Sequence, residues 1–185
     1  MTAMYVSEDG KEVPAGEKGE LWLKGPNVFK GYWNNPEATK NAITPDGYFK
    51  TGDVGHQDEN HSFYISDRVK ELIKYQGFQV APAELEGILL DSPLVEDVAV
   101  IGILDEENHT ELPRAYVVPA SGHKPSDKLA KDIISFLDER VAYYKKLRGG
   151  VRFVEAVPKS QAGKILRRIL KDMAKEEGKK PKAKL

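Results

Sequence analysis

The sequence contains no cysteine, which excludes a disulfide framework, thiol catalysis and zinc bound by cysteine. The absence of cysteine is also compatible with a reducing compartment. No apolar run approaches the roughly 20 residues that a membrane-spanning helix needs, and the N-terminal stretch MTAMYVSEDGKEVP has no apolar signal-peptide core. These absences predict a protein that is neither secreted nor integral to a membrane.

Excess charge of one sign is also lacking, because the formal net charge is −1 at pH 7 and no long basic face is present. Nucleic acid is therefore not an expected partner. With 185 residues, 40% hydrophobic and 31% charged, the chain can bury one good core or two small ones. We expect a soluble globular protein.

Clusters of metal ligands and a hydrolase nucleophile are missing as well. The four histidines show no ligand spacing with partner carboxylates; they are His56, His61, His109 and His123. The sequence therefore predicts no metal site. Without a Gly-x-Ser-x-Gly motif, a serine hydrolase has no support.

The first third of the chain reads as a β-rich unit. Short apolar strands are predicted at Glu20–Lys24, Tyr48–Lys50 and Phe63–Ile65. Asn35 is a candidate N-cap for a short helix, with Pro36 at its first position. The strand from Tyr48 is expected to deliver Thr51-Gly52-Asp53 to a loop.

The stretch Asp67–Glu86 combines an alternating strand, a glycine bend and a helix start. Its β-type apolar residues are Leu72, Ile73, Phe78 and Val80. Gly77 marks a bend or a close backbone approach, and Pro82 marks a helix N-terminus. Lys70 and Lys74 are four residues apart, which in a strand or a helix would aim two ammonium groups at one anionic target. A solvated, charged strand is the alternative.

The remainder of the chain predicts a compact α+β domain. Helices are expected from Pro82 and after a Ser126 N-cap, and an amphipathic segment follows at Ile165–Ala174. Strands are predicted at Val95–Leu104, Leu112–Val118 and Val151–Val154.

Three blocks, in this order, resemble the adenylate-forming acyl-CoA synthetases, above all the 4-coumarate:CoA ligases and beetle-luciferase-like enzymes. They are Tyr48-Phe49-Lys50-Thr51-Gly52-Asp53, the stretch Asp67–Glu86, and Pro158-Lys159-Ser160-Gln161-Ala162-Gly163-Lys164. The similarity runs from about Gly19 to about Lys171 and covers only the C-terminal part of such an enzyme.

The resemblance implies an α+β fold in three parts. Residues 1–66 would be the β-rich, barrel-like end of the N-terminal AMP-binding domain. Residues 67–177 would be the mobile C-terminal domain of the acyl-CoA synthetase type. Residues 178–185 would be a basic tail that ends in Ala183-Lys184-Leu185, a variant of the Ser-Lys-Leu peroxisomal address. A peroxisomal import receptor is then a possible partner, and the cytoplasm is the alternative location.

Lys164 matches the family lysine that stabilises formation of the acyl-adenylate. When a carboxylate attacks the α-phosphate, negative charge spreads over the phosphoryl oxygens, so a mobile ammonium lowers the barrier. The Gly163-Lys164 pair is not a P-loop, because Pro158 stands where that motif needs glycine and Ile165 replaces Ser or Thr. An ordinary surface lysine in a loop is the alternative.

The other roles implied by the resemblance divide between the nucleotide and CoA. Asp53 would accept hydrogen bonds from the ribose hydroxyls of ATP or AMP, and Arg68 would help to hold the same nucleotide. The alternatives are a turn-closing carboxylate and a structural ion pair.

Lys70 falls on the hinge about which the C-terminal domain swings between two orientations. In the first orientation, Lys164 would face the active site and the adenylate would form. In the second, in which CoA attacks the adenylate, catalytic Lys74 and nucleotide-binding Gln79 would lie near the adenylate phosphate. Gly77 would leave room for the pantetheine tunnel of CoA.

The resemblance implies an ATP-dependent, AMP-forming carboxylic acid:CoA ligase with ATP, CoA and a carboxylic acid as substrates. The phosphate loop, the acid pocket and the acidic group for Mg²⁺ are absent and expected upstream, so we expect the chain to be inactive alone. One alternative is a non-catalytic binding module that completes a separate N-terminal AMP-binding domain in trans. A weaker alternative is a peptide-synthetase adenylation module.

Overall fold

The computed structural model describes residues 1–179, which divide into two compact units. The first unit is Met1–Lys70 and the second begins at Glu71. The sequence placed this boundary earlier, between residues 66 and 67. The first unit extends further because the strand at Phe63–Arg68 remains paired, with Arg68 opposite Asp53.

The first unit is a four-stranded antiparallel sheet with one short helix. Its strands are β1 (Thr2–Val6), β2 (Gly19–Lys24), β3 (Phe49–Gln57) and β4 (Phe63–Arg68), and its helix is α1 (Pro36–Ala42). The strand order is β1-β2-β3-β4, so β1 and β4 are edge strands. Within residues 1–70 the sheet is open, and it forms the β-rich part that the sequence predicted. Strand β1 was not predicted.

Local capping explains where α1 begins. The Asn35 side chain accepts a hydrogen bond from the Ala38 N–H at 2.9 Å, and Pro36 occupies the first turn. The first N–H groups of a helix have no partner within the helix, so Pro36, which has no N–H, fits this position at no cost. The predicted cap is confirmed.

Close backbone approach shapes the interior of the first sheet. A Cβ added to Gly55 would lie 1.7 Å from the Tyr64 carbonyl oxygen, so only glycine fits there. The same carbonyl accepts a hydrogen bond from the buried Tyr5 hydroxyl at 2.8 Å. Burial, and next the charge of Asp53, raise the pKa of the Tyr5 hydroxyl.

The described part of the second unit, residues 71–179, contains a two-stranded hairpin, a three-stranded sheet and three α-helices. In chain order its elements are β5 (Ile73–Tyr75), β6 (Phe78–Val80), α2 (Pro82–Leu90), β7 (Val95–Asp105), β8 (Thr110–Pro119), α3 (Asp127–Asp138), a 3-10 turn (Tyr143–Lys145), β9 (Val151–Phe153) and α4 (Arg167–Lys179). β7 pairs antiparallel with β8, and β9 adds parallel to β8. The α+β fold class is confirmed.

The three-stranded sheet separates two hydrophobic clusters, because alternate residues of a strand face opposite sides. One cluster joins the sheet to β5, β6, α2 and α3, and includes Ile73, Leu85, Leu89, Val98, Val100, Val117, Ile133 and Leu137. The other joins it to α4 and consists of Ala99, Ile101, Tyr116, Val157, Leu170 and Ala174. Each large apolar side chain buried here contributes about 1.5–3 kcal/mol to folding.

The start of α3 and the end of α4 can be compared with the sequence predictions. The Ser126 hydroxyl accepts the Leu129 N–H at 3.2 Å, which confirms the cap of α3. Helix α4 runs to Lys179, two residues into the segment predicted as a tail. Ala183-Lys184-Leu185 lies outside the described residues, so the peroxisomal address stays a prediction. No helix within residues 1–179 is both long enough and apolar enough to span a membrane.

Candidate functional site

Asp53 and Arg68 are brought together by the register of β3 and β4. The two residues are directly opposite, and Arg68 Nε lies 3.0 Å from Asp53 Oδ1. The prediction that Thr51-Gly52-Asp53 forms a loop is wrong, because all three residues belong to β3. Pairing with a neighbouring strand, such as that of Asp53 with Arg68 on β4, cannot be deduced from a local sequence pattern. The ion pair is partly exposed, so it is a weak contributor to stability.

A carboxylate from β2 supports the irregular backbone at Gly52. Glu20 Oε1 accepts the Gly52 N–H at 3.0 Å, and Glu20 Oε2 accepts the Trp22 indole N–H at 3.0 Å. Gly52 has φ +75°, a conformation that favours glycine. Beside it lies a surface depression of about 590 Å³, whose lining includes Tyr32, Lys50, Thr51, Gly52, Arg68 and Lys70. Sequence reasoning missed Glu20.

The β5–β6 hairpin presents Lys74 and Gln79 together. They are cross-strand partners, and both side chains are exposed. The turn between the strands is Gln76-Gly77, with φ +46° and +84°, as in the two-residue turns that suit a twisted hairpin. Lys70 precedes β5 in a turn and belongs to the first unit. The predicted pairing of Lys70 with Lys74 on one strand or helix is therefore wrong.

Two residues at the start of β8 bind the backbone of this hairpin. Thr110 Oγ1 accepts the Gln76 N–H at 2.8 Å and donates to the Lys74 carbonyl at 3.0 Å. Glu111 Oε2 accepts the Lys74 N–H at 2.8 Å. Neither Thr110 nor Glu111 was singled out from the sequence, since their partners are more than 30 residues away along the chain.

Lys164 lies at the end of a tight loop between Lys159 and Ile165, which form an isolated bridge. The Lys164 N–H donates to Ser160 Oγ at 3.2 Å, and its carbonyl accepts the Ser160 N–H at 2.8 Å. Gly163 has φ +78°, which closes the turn. The Lys164 side chain is exposed and forms no ion pair among the described residues. The Lys159 ammonium lies 2.6 Å from Asp97 on β7.

A buried ion pair fixes the helix that follows this loop. Arg167, the first residue of α4, donates through Nη2 to both oxygens of Glu86 at 2.8 and 2.7 Å. Glu86 also accepts the Val100 N–H at 2.8 Å, and Arg167 Nε lies 3.5 Å from Glu71. Glu86 is only 7% exposed. The sequence indicated Glu86 only as a helix-start residue.

The site residues implied by the resemblance fall into three groups. Asp53 and Arg68 form one group in the first unit, together with Lys70, which lines the same depression as Arg68. Lys74 and Gln79 form a second, with Gly77 in the adjoining turn. Lys164 stands by itself on its loop. Residues 1–179 contain no cluster of three or more histidine or acidic side chains that could hold a metal ion.

Comparison with known proteins identifies the relatives of this chain. Residues 84–164 match the family described as the AMP-binding enzyme C-terminal domain. The protein 4-coumarate-CoA ligase-like 4 of Oryza sativa subsp. japonica is 47% identical over 90% of this chain, which spans 29% of that protein. The chain is homologous to the C-terminal part of adenylate-forming enzymes. The resemblance seen in its three sequence blocks is thereby confirmed.

Two further relatives extend the match to a protein with a different name and to a solved structure. Luciferin 4-monooxygenase of Luciola mingrelica is 43% identical over 95% of this chain and 30% of its own length. ATP-bound MatB from Rhodopseudomonas palustris is 36% identical with a TM-score of 0.85, and the match covers 96% of this chain and 35% of MatB. The chain thus spans about a third of the length of these relatives.

Proposed function

We propose that this chain is the C-terminal part of an ATP-dependent, AMP-forming carboxylic acid:CoA ligase. The observation that carries the proposal is the exposed Lys164 ammonium on its glycine-closed loop, within a chain related to a CoA ligase-like protein and to an ATP-bound structure. In the complete enzyme, an acid and ATP form an acyl-adenylate and pyrophosphate. The CoA thiol then displaces AMP to give the thioester.

Lys164 acts in the first half-reaction. Attack of the carboxylate oxygen on the α-phosphate brings two anions together and places negative charge on the phosphoryl oxygens. An ammonium that is not already paired stabilises this charge in the transition state. The loop supports such a role, because its main chain is held by Ser160 while the lysine side chain projects into solvent.

Asp53 and Arg68 bind the nucleotide portion of the substrate. An ionised carboxylate is an acceptor only, which suits the two hydroxyls of a ribose. Arg68 holds the Asp53 carboxylate from the neighbouring strand and leaves part of its own guanidinium exposed. The depression of about 590 Å³ beside Gly52 gives the nucleotide room on this face.

Lys74 and Gln79 serve the second half-reaction, in which the domain presents a different face to the adenylate. Their exposed side chains lie on one face of the hairpin, and Gly77 adds no side chain to the adjoining turn. Lys70 is the last residue of the first unit, which suits a hinge position. Mg²⁺ and the acid would be bound by residues outside this chain.

A chimera tests the proposal. A CoA ligase of this family is made without the third that corresponds to this chain, and this chain is joined in its place. We expect the Lys164→Ala chimera to lose about 10²–10³-fold in acid-dependent exchange of pyrophosphate into ATP, because one stabilising charge is gone. Thioester formation from a supplied acyl-adenylate and CoA should change little.

Lys159→Ala is the matched control, since Lys159 lies on the same loop but is paired with Asp97. It should retain far more pyrophosphate exchange than Lys164→Ala. Equal loss in the two variants, or a Lys164→Ala chimera as active as the wild type, would refute the role of Lys164. The 185-residue chain alone, given ATP, CoA and a panel of acids, should release no AMP.

A further inference from the structure

The hairpin that carries Lys74 and Gln79 is too small to hold its own shape. It has three residues in each strand and three cross-strand pairs. An isolated two-stranded hairpin is marginal in water even when it is longer. Its position in the folded protein must therefore depend on contacts with the rest of the second unit.

Apolar burial supplies part of that support. Ile73, Tyr75 and Val80 are buried in the main core, which holds one face of the hairpin down. Burial is non-directional, so it does not fix how the peptide units on either side of Lys74 are oriented. Hydrogen bonds with defined partners are needed for that.

Thr110 and Glu111 provide these hydrogen bonds. The Lys74 residue is held at both of its main-chain groups, its N–H by Glu111 Oε2 and its carbonyl by Thr110 Oγ1. The same threonine oxygen accepts the Gln76 N–H at the entrance to the turn. Two side chains thus replace the main-chain ladder that a third strand would provide. Thr110 is only 6% exposed, so its hydrogen bonds are shielded from water.

Gly102 on β7 makes room for this arrangement. A Cβ at Gly102 would lie 3.1 Å from the Glu111 carboxylate carbon and 3.1 Å from the Ile73 Cγ2 atom. The glycine therefore lets the Glu111 side chain lie across the sheet toward β5. This close approach indicates a built contact between β8 and the hairpin.

We propose that Thr110 and Glu111 are positioning residues for the thioester-forming step, in which they hold the main chain of Lys74 and the Gln76-Gly77 turn in place. The catalytic part of this inference rests on the proposed function. Residues that act only on this hairpin should affect the second half-reaction and spare the first, which uses Lys164.

Amide hydrogen exchange on the 185-residue chain tests the structural part. Thr110→Val keeps the shape of the side chain and removes its hydroxyl, so exchange of the Gln76 N–H should accelerate at least about tenfold. Thr110→Ser should restore protection. Glu111→Met should accelerate exchange of the Lys74 N–H, whereas Glu111→Gln retains an acceptor oxygen and should do so less. Glu106→Met, at an exposed position in the loop between β7 and β8, is the control and should leave both amides unchanged.

The chimera described above tests the catalytic part. Thr110→Val and Glu111→Met should lower thioester formation from acyl-adenylate and CoA about tenfold or more, with pyrophosphate exchange within twofold of the wild type. Unchanged amide exchange, or a thioester step as fast as in the wild type, would overturn the inference. Equal loss of both half-reactions together with faster exchange in the β7–β8 ladder would also overturn it, since that pattern indicates general destabilisation.

A failure of the proposed function gives a different pattern. The wild-type chimera would then form neither adenylate nor thioester, while the exchange of the Lys74 and Gln76 amides would still respond to Thr110→Val and Glu111→Met.

Discussion

At the scale of single residues, Tyr116 has a buried hydroxyl that bears on the stability of the fold. Its side chain is fully buried on the face of β8 that packs against α4. Its hydroxyl makes no hydrogen bond of ordinary geometry among the described residues, although Arg114 lies close enough to lower its pKa. An unsatisfied buried hydroxyl costs about 1–3 kcal/mol. We therefore expect Tyr116→Phe to leave the free energy of unfolding unchanged or to raise it by about 1 kcal/mol. Tyr5→Phe is the comparison, because that change removes a real hydrogen bond to the Tyr64 carbonyl and should lower stability.

The same residue makes a prediction about alkaline pH. Burial raises the pKa of the Tyr116 hydroxyl above its usual value of about 10, although Arg114 acts in the opposite direction. The pKa of the Tyr116 hydroxyl is higher in the folded state than in the unfolded state. The protonated Tyr116 hydroxyl therefore makes its full contribution to stability below pH 10, and this contribution is lost as the pH rises through the folded-state pKa. Urea denaturation between pH 9 and 11 should show a smaller loss for Tyr116→Phe than for the wild type. An equal loss in both proteins would contradict this assignment.

At the scale of elements, the Glu86–Arg167 pair joins α2, β7 and α4. Both side chains are largely buried, and the pair is completed by main-chain bonds to Val100. Arg167→Met removes the counter-charge and the two hydrogen bonds that Arg167 gives the buried Glu86 carboxylate, so it should cost about 3–5 kcal/mol. Glu86→Gln should cost less, because Arg167 keeps Glu71 at 3.5 Å. Denaturant titration of the chain measures this loss.

Two comparisons make this prediction specific. Glu139→Gln breaks the exposed pair with Arg140 and should cost less than about 1 kcal/mol. The double variant Glu86→Gln/Arg167→Met should be less destabilised than the sum of its single changes, since neither remaining group is an unpaired charge. Strict additivity would show that the two side chains do not act as a pair.

Local signals and distant partners explain which elements could be predicted. The caps at Asn35 and Ser126 were readable because a cap and its N–H are three residues apart. The segment around Gly52 was misjudged because a positive-φ glycine is typical of turns, whereas here Glu20, 32 residues away, accepts its N–H within a strand. Strand β1 lies in a stretch of the sequence that is polar as a whole, although Thr2, Tyr5 and Val6 themselves favour strands.

At the scale of the whole molecule, the motifs located the candidate site residues but not what holds them. Lys74 and Lys164 lie in stretches that resemble a known family, so their implied roles followed from the sequence. Thr110 contacts residues 34 and 36 positions away, and Arg167 contacts one 81 positions away. No periodicity or spacing rule connects positions so far apart, because the fold alone brings them together.

The open sheet of the first unit has a consequence for how this chain behaves in solution. Edge strand β4 exposes Phe63, Tyr64 and Ile65, the last of which is 54% exposed. Unpaired main-chain groups beside exposed apolar side chains form a template for strand addition between molecules. Light scattering should therefore detect concentration-dependent self-association of the isolated chain, and Ile65→Lys should suppress it. If the apparent molecular mass of the wild type from light scattering does not rise with concentration, the exposed edge of β4 is not a site of aggregation.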